Sequence, residues 1–410
     1  MPTRSTWGSL RSTPRVWRLE RAGYRRAIAR ATVIVLDACG VGALPDAGDY
    51  AGDEGSNTLA HLAEHVGGLE LPALERLGLG SIIPLRGVAP SADPVVHGRL
   101  HPFGPGKEST TGHWELMGVV PRHALPTYPE GFPPETIETL ERVTGRRFCC
   151  NRPYSGTEVI EHFGEHHLAT SELILYTSAD SVLQIAAHVD VLDEPGLYSV
   201  CEAAREAMTG EHAVGRVIAR PFDGPPGAFE RREGRRDYAA EPPGRSYLEE
   251  LQAAGVPVHA VGKVRDLFAG VGIDEKHDGA TNAKGIAATT ELLRSLDSGL
   301  VFVNLVETDQ VYGHRHDTEG FHDALKQIDA AVGGWLELLR DDDLLVLTAD
   351  HGVDPDAPHT DHTREYAPLL AVFPGHGGQR HDGPLADVGA SVLRWLTGRE
   401  AEALPGDPFL

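Results

Sequence analysis

Short, nearly continuous apolar runs recur along the chain and are typical of parallel strands that are buried on both faces. Between them, apolar residues recur at intervals of three and four, which is the spacing of an amphipathic helix. This alternation predicts an α/β fold with a mostly parallel sheet flanked by helices. The predicted strands are residues 32–36, 173–176, 217–219, 256–261, 300–306, 344–347 and 369–373. The predicted helices are residues 134–144, 198–208, 247–254, 291–296, 321–339 and 388–396.

The length of the chain and one irregular stretch predict more than one domain. The 410 residues exceed the roughly 250–300 at which a single core stops growing. Residues 221–245 are rich in proline, glycine and charge and are predicted to form a linker or exposed loop. The simplest arrangement is a discontinuous core, residues 31–122 and 243–410, with a smaller inserted α/β domain at residues 123–242.

The first 30 residues differ from the rest in charge, because they contain eight arginines and one acid. We expect a disordered basic extension or a start codon assigned too early, and the arginine content also leaves a transit peptide open. The whole chain carries a formal charge of −23 with 41% hydrophobic residues, which is a globular composition. Such an acidic surface repels phosphate backbones and anionic lipid, so we expect neither nucleic acid nor membrane partners.

Cysteine usage indicates a reducing compartment. The four cysteines show no paired C-x-x-C spacing, which argues against a disulfide scaffold or a zinc knuckle. No apolar run approaches the roughly 18 residues of a membrane span. We therefore expect a cytoplasmic protein. We also expect a monomer.

A phosphorylated ligand would need a local cationic site in so acidic a protein, and metal ions could supply one.

Two segments combine acids or hydroxyls with glycines. Asp37 follows the first predicted strand and leads into a glycine-rich turn. Residues 106–115 contain three consecutive residues with hydroxyl groups, Ser109, Thr110 and Thr111. A glycine and a lysine precede them, and a second glycine follows them. This second pattern also occurs at the start of a helix, where a hydroxyl caps the backbone.

Two further segments concentrate metal-ligating side chains directly after predicted strands. Residues 307–317 contain three acids and two histidines, and residues 348–365 contain three histidines and five acids. Ligand-binding residues of parallel sheets lie just past the carboxyl ends of strands. Mixed histidine and carboxylate ligands suit Mn²⁺, Zn²⁺ or iron. The ligands suffice for two ions roughly 3.5–4 Å apart, an arrangement that acts on phosphoryl groups and activates a nearby hydroxyl as a nucleophile.

These motifs resemble those of a known family. The chain resembles the metal-ligand pattern of the alkaline phosphatase superfamily at Asp37, at Asp309 with His314, and in the segments 350–352 and 362–365. More narrowly, the chain resembles the phosphopentomutases, through residues 106–115, 176–188, 215–222 and 360–365. The matching segments run from about residue 32 to the C-terminus. The resemblance implies an alkaline-phosphatase-like core with the inserted domain as a substrate-binding cap.

The resemblance also implies site residues. It assigns one Mn²⁺ to Asp37, Asp350 and His351, and a second to Asp309, His314 and His362. The nucleophile, phosphorylated in the active enzyme, would be Ser109, where the family has threonine; Thr110 and Thr111 are the alternatives. Glu307 stands where the family usually has aspartate, and the pattern gives His316 and His359 no ligand role. The implied substrate-binding residues are Ser155, Asp180, Arg216, Arg220 and Lys263.

The resemblance implies an isomerase that interconverts ribose or 2-deoxyribose 1-phosphate and 5-phosphate through a phosphoserine enzyme at the two-metal site. Glucose 1,6-bisphosphate or ribose 1,5-bisphosphate would provide the first phosphoryl group. Two alternatives stay open: a metal-dependent phosphatase or phosphodiesterase on the same core, and a non-catalytic metal-binding or carbohydrate-binding protein. A cofactor-independent phosphoglycerate mutase shares the core, but its motifs differ from those around Ser109 and Asp180.

Overall fold

The computed structural model describes residues 29–178 and 181–410, and within them the strands form two sheets. The strands are β1 (Arg30–Leu36), β2 (Val96–His101), β3 (Phe148–Pro153), β4 (Leu173–Thr177), β5 (Val182–His188), β6 (Arg216–Asp223), β7 (Glu230–Arg231), β8 (Arg236–Ala239), β9 (Val258–Val261), β10 (Glu275–His277), β11 (Gly299–Leu305), β12 (Asp343–Thr348), β13 (Ala367–Val372) and β14 (Gly383–Pro384). The helices are α1 (Thr58–His65), α2 (Pro72–Leu77), α3 (Leu79–Ile82), α4 (Ser109–Leu116), α5 (Pro134–Thr144), α6 (Glu158–Thr170), α7 (Glu194–Ala207), α8 (Tyr247–Ala253), α9 (Val264–Leu267), α10 (Asn282–Ser295), α11 (Thr318–Leu336) and α12 (Asp387–Thr397).

The larger sheet has the strand order β10-β9-β11-β1-β12-β13-β2-β14. The run from β10 to β12 is parallel throughout, and β13 then pairs antiparallel with both β12 and β2. Every residue of β1, β11 and β12 is buried, because aliphatic side chains on both faces of these central strands are covered. The predicted α/β fold with a mostly parallel sheet is confirmed.

The start of β1 is fixed by a buried ion pair. Arg30 is 1% exposed and pairs with Asp343, the first residue of β12. Its guanidinium also donates to the carbonyl oxygen of Leu293 at 2.6 Å. Arg30 therefore belongs to the sheet and not to the basic extension in which the sequence analysis placed it. The remainder of that extension, apart from Ala29, lies outside the described residues.

The smaller sheet has the order β3-β4-β5-β6-β7, with β8 also pairing with β6, and mixes parallel and antiparallel neighbours. Its strands β7 and β8 fall inside residues 221–245, so part of the stretch predicted to be a linker or exposed loop is strand. Charged residues dominate both strands, and β7 is fully exposed. Charged edge strands protect a sheet from further pairing, and they lack the apolar pattern by which a strand is recognised.

None of the helices in the described part of the chain combines the length and apolar character needed to span a lipid bilayer.

Candidate metal centre

Three aspartates meet at one edge of the larger sheet. Asp37 directly follows β1, Asp350 lies two residues after β12, and Asp309 lies in a helical turn after β11. Because β11, β1 and β12 are adjacent and parallel, their carboxyl ends lie side by side. The three carboxylates are buried at this edge.

Histidines complete two groups of possible metal ligands around these aspartates. Within each group, one ligand atom from every residue lies within 4.8 Å of the others. The groups adjoin, since the ring centroids of His351 and His362 are 4.2 Å apart. The first group is Asp37, Asp350 and His351, and the second is Asp309, His314 and His362. The structure thus brings together the six residues that the resemblance assigned to two Mn²⁺ ions.

The distances within the groups are short. In the first, His351 Nε2 lies 3.3 Å from Asp37 Oδ1 and 3.4 Å from Asp350 Oδ2. In the second, Asp309 Oδ1 lies 3.3 Å from His314 Nε2 and 3.4 Å from His362 Nε2. Each imidazole therefore turns a ring nitrogen toward a carboxylate oxygen, as ligands of a shared cation do.

The hydrogen-bonding state of the carboxylates supports a cation. Asp37 Oδ1, Asp309 Oδ1 and Asp350 Oδ2 are buried and have no hydrogen-bond partner in the described residues. A buried charged oxygen without a partner is costly, and native proteins avoid it unless a ligand or ion compensates. The residues present therefore fit a pair of divalent ions.

Electrostatics keep the carboxylates of Asp37 and Asp309 ionised. Burial and the charge of Asp309 act to raise the pKa of Asp37, but His351 and Lys263 outweigh them and the pKa lies below its usual range. Burial likewise acts to raise the pKa of Asp309, and the imidazoles around it lower that pKa strongly. For His351, burial acts to lower the pKa, yet the surrounding carboxylates raise it to about 10. The centre therefore attracts positive charge, and the carboxylates of Asp37 and Asp309 are in the form that binds metal.

Ser109 lies beside the first group. It is the first residue of α4, and its Oγ is 3.0 Å from His351 Nε2. The neighbouring hydroxyl of Thr111 instead donates to the carbonyl oxygen of Glu108 at 3.2 Å. A Cβ at Gly112 would lie 2.4 Å from the Asp350 carbonyl oxygen, so glycine is what allows α4 to approach the centre this closely. The structure therefore places the Ser109 hydroxyl, and not that of Thr111, against the first ligand group.

His113 links Ser109 to the first group of possible metal ligands. Its Nδ1 donates to the carbonyl oxygen of Ser109 at 2.8 Å and lies 3.1 Å from Asp350 Oδ2. The ring is completely buried. His113 thus fixes the first turn of α4 against the first ligand group.

Asp53 is a site residue that the sequence analysis missed. This fully buried carboxylate accepts hydrogen bonds from Lys107 Nζ at 3.1 Å, His359 Nε2 at 2.9 Å and the backbone N–H of Arg364 at 2.8 Å. It therefore joins the segment just before Ser109 to the loop that carries His362. Asp53 follows no predicted strand and belongs to no recognisable motif, so the sequence offered no signal for it.

Comparison with known proteins shows the family to which this chain is similar. The family model of the Metalloenzyme superfamily matches residues 29–398. The phosphopentomutase of Caldanaerobacter subterraneus is 49% identical over 369 residues, which cover 89% of this chain and 93% of that protein. The phosphopentomutase of Carboxydothermus hydrogenoformans is 51% identical over 348 residues, which cover 85% of this chain and 89% of that protein. The chain belongs to the phosphopentomutase family. Phosphopentomutases are isomerases that belong to this metalloenzyme superfamily.

Solved structures resemble this phosphopentomutase-family chain at low sequence identity. The PH0037 protein from Pyrococcus horikoshii covers 91% of this chain and 98% of its own, with a TM-score of 0.45 and 15% identity. A phosphoglycerate mutase from Leishmania mexicana covers 93% and 97%, with a TM-score of 0.48 and 12% identity.

The structure separates the predicted substrate residues of this phosphopentomutase-family chain into two places. Lys263 follows β9 in the larger sheet, close enough for its charge to lower the pKa of Asp37. Arg216 and Arg220 lie on β6 of the smaller sheet, and Ser155 lies just after β3. Asp180 lies outside the described residues. Among the described residues of this set, Lys263 is thus the one whose charge acts on a carboxylate of the metal centre.

The residues on the smaller sheet contact other protein groups. Arg220 donates from Nε and Nη2 to Gln184 Oε1, at 3.2 and 2.9 Å. Arg216 lies 3.6 Å from Asp237, and the Ser155 hydroxyl is 3.1 Å from that of Thr157. Burial lowers the pKa of Arg220 from its ordinary value, yet a guanidinium stays protonated at neutral pH. Arg220 is therefore a half-buried cation whose hydrogen-bond partner here is neutral.

Proposed function

We propose that this protein is a phosphopentomutase that interconverts ribose or 2-deoxyribose 1-phosphate and 5-phosphate through a phosphorylated Ser109. The observation that carries the proposal is the contact between Ser109 Oγ and His351 Nε2, at 3.0 Å, beside two adjoining groups of metal ligands. The relatives that share about half of their residues with this chain bear the same name. A nucleophile next to two cation sites is the arrangement that phosphoryl transfer requires.

The two ligand groups would hold two Mn²⁺ ions, one on Asp37, Asp350 and His351 and the other on Asp309, His314 and His362. When bound, the ions supply positive charge for the oxygens of the transferring phosphoryl group. The protein's own contribution is to orient Ser109. Helix α4 begins at this residue, and the first turn of a helix presents backbone N–H groups that favour a phosphoryl group.

The reaction consists of two phosphoryl transfers. Phospho-Ser109 donates its group to the free hydroxyl of the incoming sugar phosphate, so one P–O bond forms and the bond to Ser109 breaks. The proton lost by the sugar hydroxyl is matched by the one that the Ser109 oxygen regains. The resulting bisphosphate then returns its other phosphoryl group to Ser109 and leaves as the isomer. Glucose 1,6-bisphosphate or ribose 1,5-bisphosphate would phosphorylate Ser109 initially.

We assign residues 31–122 and 243–410 to a catalytic core and residues 123–242 to a substrate-binding cap. All strands of the smaller sheet lie between residues 148 and 239, which supports this division. In the cap, Arg216 and Arg220 are four positions apart on β6 and so project on the same side of the sheet. With Lys263, Ser155 and Asp180 they would hold the sugar and its second phosphate. The enzyme would act in the cytoplasm as a monomer.

An assay of isomerisation tests the proposal directly. Purified protein is incubated with Mn²⁺, ribose 5-phosphate and a trace of glucose 1,6-bisphosphate, and both ribose 1-phosphate and free phosphate are measured. We expect ribose 1-phosphate to form with little release of phosphate. Stoichiometric release of phosphate without isomerisation would instead identify a phosphatase of the same superfamily.

Two substitutions sharpen this assay. We expect Ser109→Ala to reduce the rate at least about a thousandfold, because a covalent intermediate can no longer form. Ser109→Thr is the matched control and should retain measurable activity, since it keeps a hydroxyl at the same position. Mass spectrometry of the peptide should locate phosphate on Ser109; phosphate only on Thr110 or Thr111 would contradict the assignment.

A further inference from the structure

We propose that His259, Glu275 and His277 form a third transition-metal site, at the edge of the larger sheet. β10 is the edge strand and pairs in parallel with β9, with Glu275 opposite His259. His277 lies two residues further along β10 and therefore projects from the same face as Glu275. The pairing of the two strands thus brings two imidazoles and one carboxylate to a single place.

The spacing of the three side chains fits a metal ion. His259 Nδ1 lies 3.0 Å from His277 Nε2, and Glu275 Oε2 lies 3.5 Å from the first nitrogen and 3.8 Å from the second. The point equidistant from these three atoms is about 2.0 Å from each of them, which is the length of a zinc–nitrogen or zinc–oxygen bond. An ion therefore fits between the ligand atoms at their observed positions.

The chemistry of the ligands selects the class of metal. Two imidazoles and a carboxylate suit Zn²⁺ or Co²⁺, whereas Mg²⁺ and Ca²⁺ prefer oxygen ligands only. His259 is 7% exposed, and its Nδ1 faces His277 Nε2 at 3.0 Å and the Glu275 carboxylate at 3.5 Å. The carboxylate of Glu275 is more than half exposed, which gives an ion a route from solvent.

The position of the site suggests a structural role. An ion bound here would link side chains across β9 and β10, and β10 is only three residues long. After β9 the chain passes through Gly262 to Lys263, whose charge acts on Asp37. The ion would therefore stabilise the pair of strands that precedes Lys263.

The test is to count bound zinc. The metal-free full-length protein is dialysed against Zn²⁺, and the bound ion is measured for the wild type and for His277→Gln. We expect the variant to bind one ion fewer per chain. His123→Gln, a substitution of an exposed histidine outside both sheets, is the matched control and should bind as many ions as the wild type.

A second variant keeps the proposal testable if His277→Gln folds poorly. Glu275→Gln changes an exposed side chain and should weaken binding of this one ion at least about tenfold, since loss of even an outer partner of a metal ligand costs that much. Zn²⁺ should also raise the midpoint of thermal unfolding of Mn²⁺-loaded wild type more than that of Glu275→Gln. Equal zinc content and equal midpoints in wild type and Glu275→Gln would overturn the proposal. His259 and His277 would then be a hydrogen-bonded pair that binds no metal.

Discussion

The metal centre and the smaller sheet provide binding groups in different ways. At the metal centre, side chains converge from the ends of three adjacent parallel strands, and three buried carboxylate oxygens have no hydrogen-bond partner in the described residues. On the smaller sheet, Arg216, Arg220 and Ser155 lie along a strand or in a loop, and each contacts another protein group. The metal centre is therefore organised for a cation in advance, whereas the arginines are held by other side chains of the smaller sheet.

This difference predicts how the two regions respond to substitution. A buried ligand of a preformed site has no substitute, so its loss affects the chemical step. A half-buried arginine that only holds a substrate contributes to binding, so its loss affects KM. The following predictions test that distinction.

The largest effect is expected from Asp309→Asn. This change removes a ligand charge from a site where Asp309 Oδ1 faces two imidazoles. We expect kcat to fall at least about a thousandfold, because stabilisation of the transferring group by a bound metal is worth several kcal/mol. Turnover of ribose 5-phosphate and metal content per chain are the measurements. Asp323→Asn, at an exposed aspartate, is the control, and near-normal turnover by Asp309→Asn would refute the assignment of the second ligand group.

A smaller effect is expected from Asp53→Asn. The neutral asparagine side chain of the variant cannot balance the charge of Lys107. The segment before Ser109 and the loop with His362 then no longer bind to the same carboxylate. We expect kcat to fall about 10- to 100-fold, as for partners of metal ligands elsewhere, with little change in KM. Asp46→Asn is the matched control, because that carboxylate is partly exposed and accepts from the Arg364 side chain. A change in KM alone would show that Asp53 does not position the nucleophile.

The smallest effect is expected from Arg220→Gln on the smaller sheet. Loss of a charged hydrogen-bond donor costs about 1.5–3 kcal/mol, so KM for ribose 5-phosphate should rise about tenfold or more while kcat changes little. Steady-state kinetics provide both values. Arg232→Gln, at an exposed arginine paired with Asp223, should leave KM unchanged. If Arg220→Gln lowers kcat and not substrate affinity, the contrast between the two regions fails.

Sequence patterns predicted the central strands of the larger sheet, which are buried on both faces. Strands such as β1 and β12 each contain a run of four consecutive aliphatic residues and are therefore visible in the sequence. β2 escaped prediction because its sequence, VHGRLH, alternates polar with apolar residues, and β7 and β8 because they are short and charged. A strand at the periphery of a sheet needs apolar residues on one face at most, so its pattern is weak.

The same reasoning applies to the site. Asp37 and Asp350 could be predicted as neighbours because each follows a strand of one parallel sheet. Asp53 could not, because its partners Lys107 and His359 come from segments far apart in the sequence. The pair His259 and His277 was equally hidden, since only the register of β9 and β10 brings these residues together.

The place of β1 in the larger sheet has a consequence for the order of events during synthesis. β1 pairs on one side with residues 299–305 and on the other with residues 343–348, all of which emerge from the ribosome much later. At about 5–20 residues per second, roughly 15–60 s separate β1 from its two neighbours. The nascent strand must therefore be protected from aggregation over that interval, and the metal centre can assemble only when most of the chain has been made.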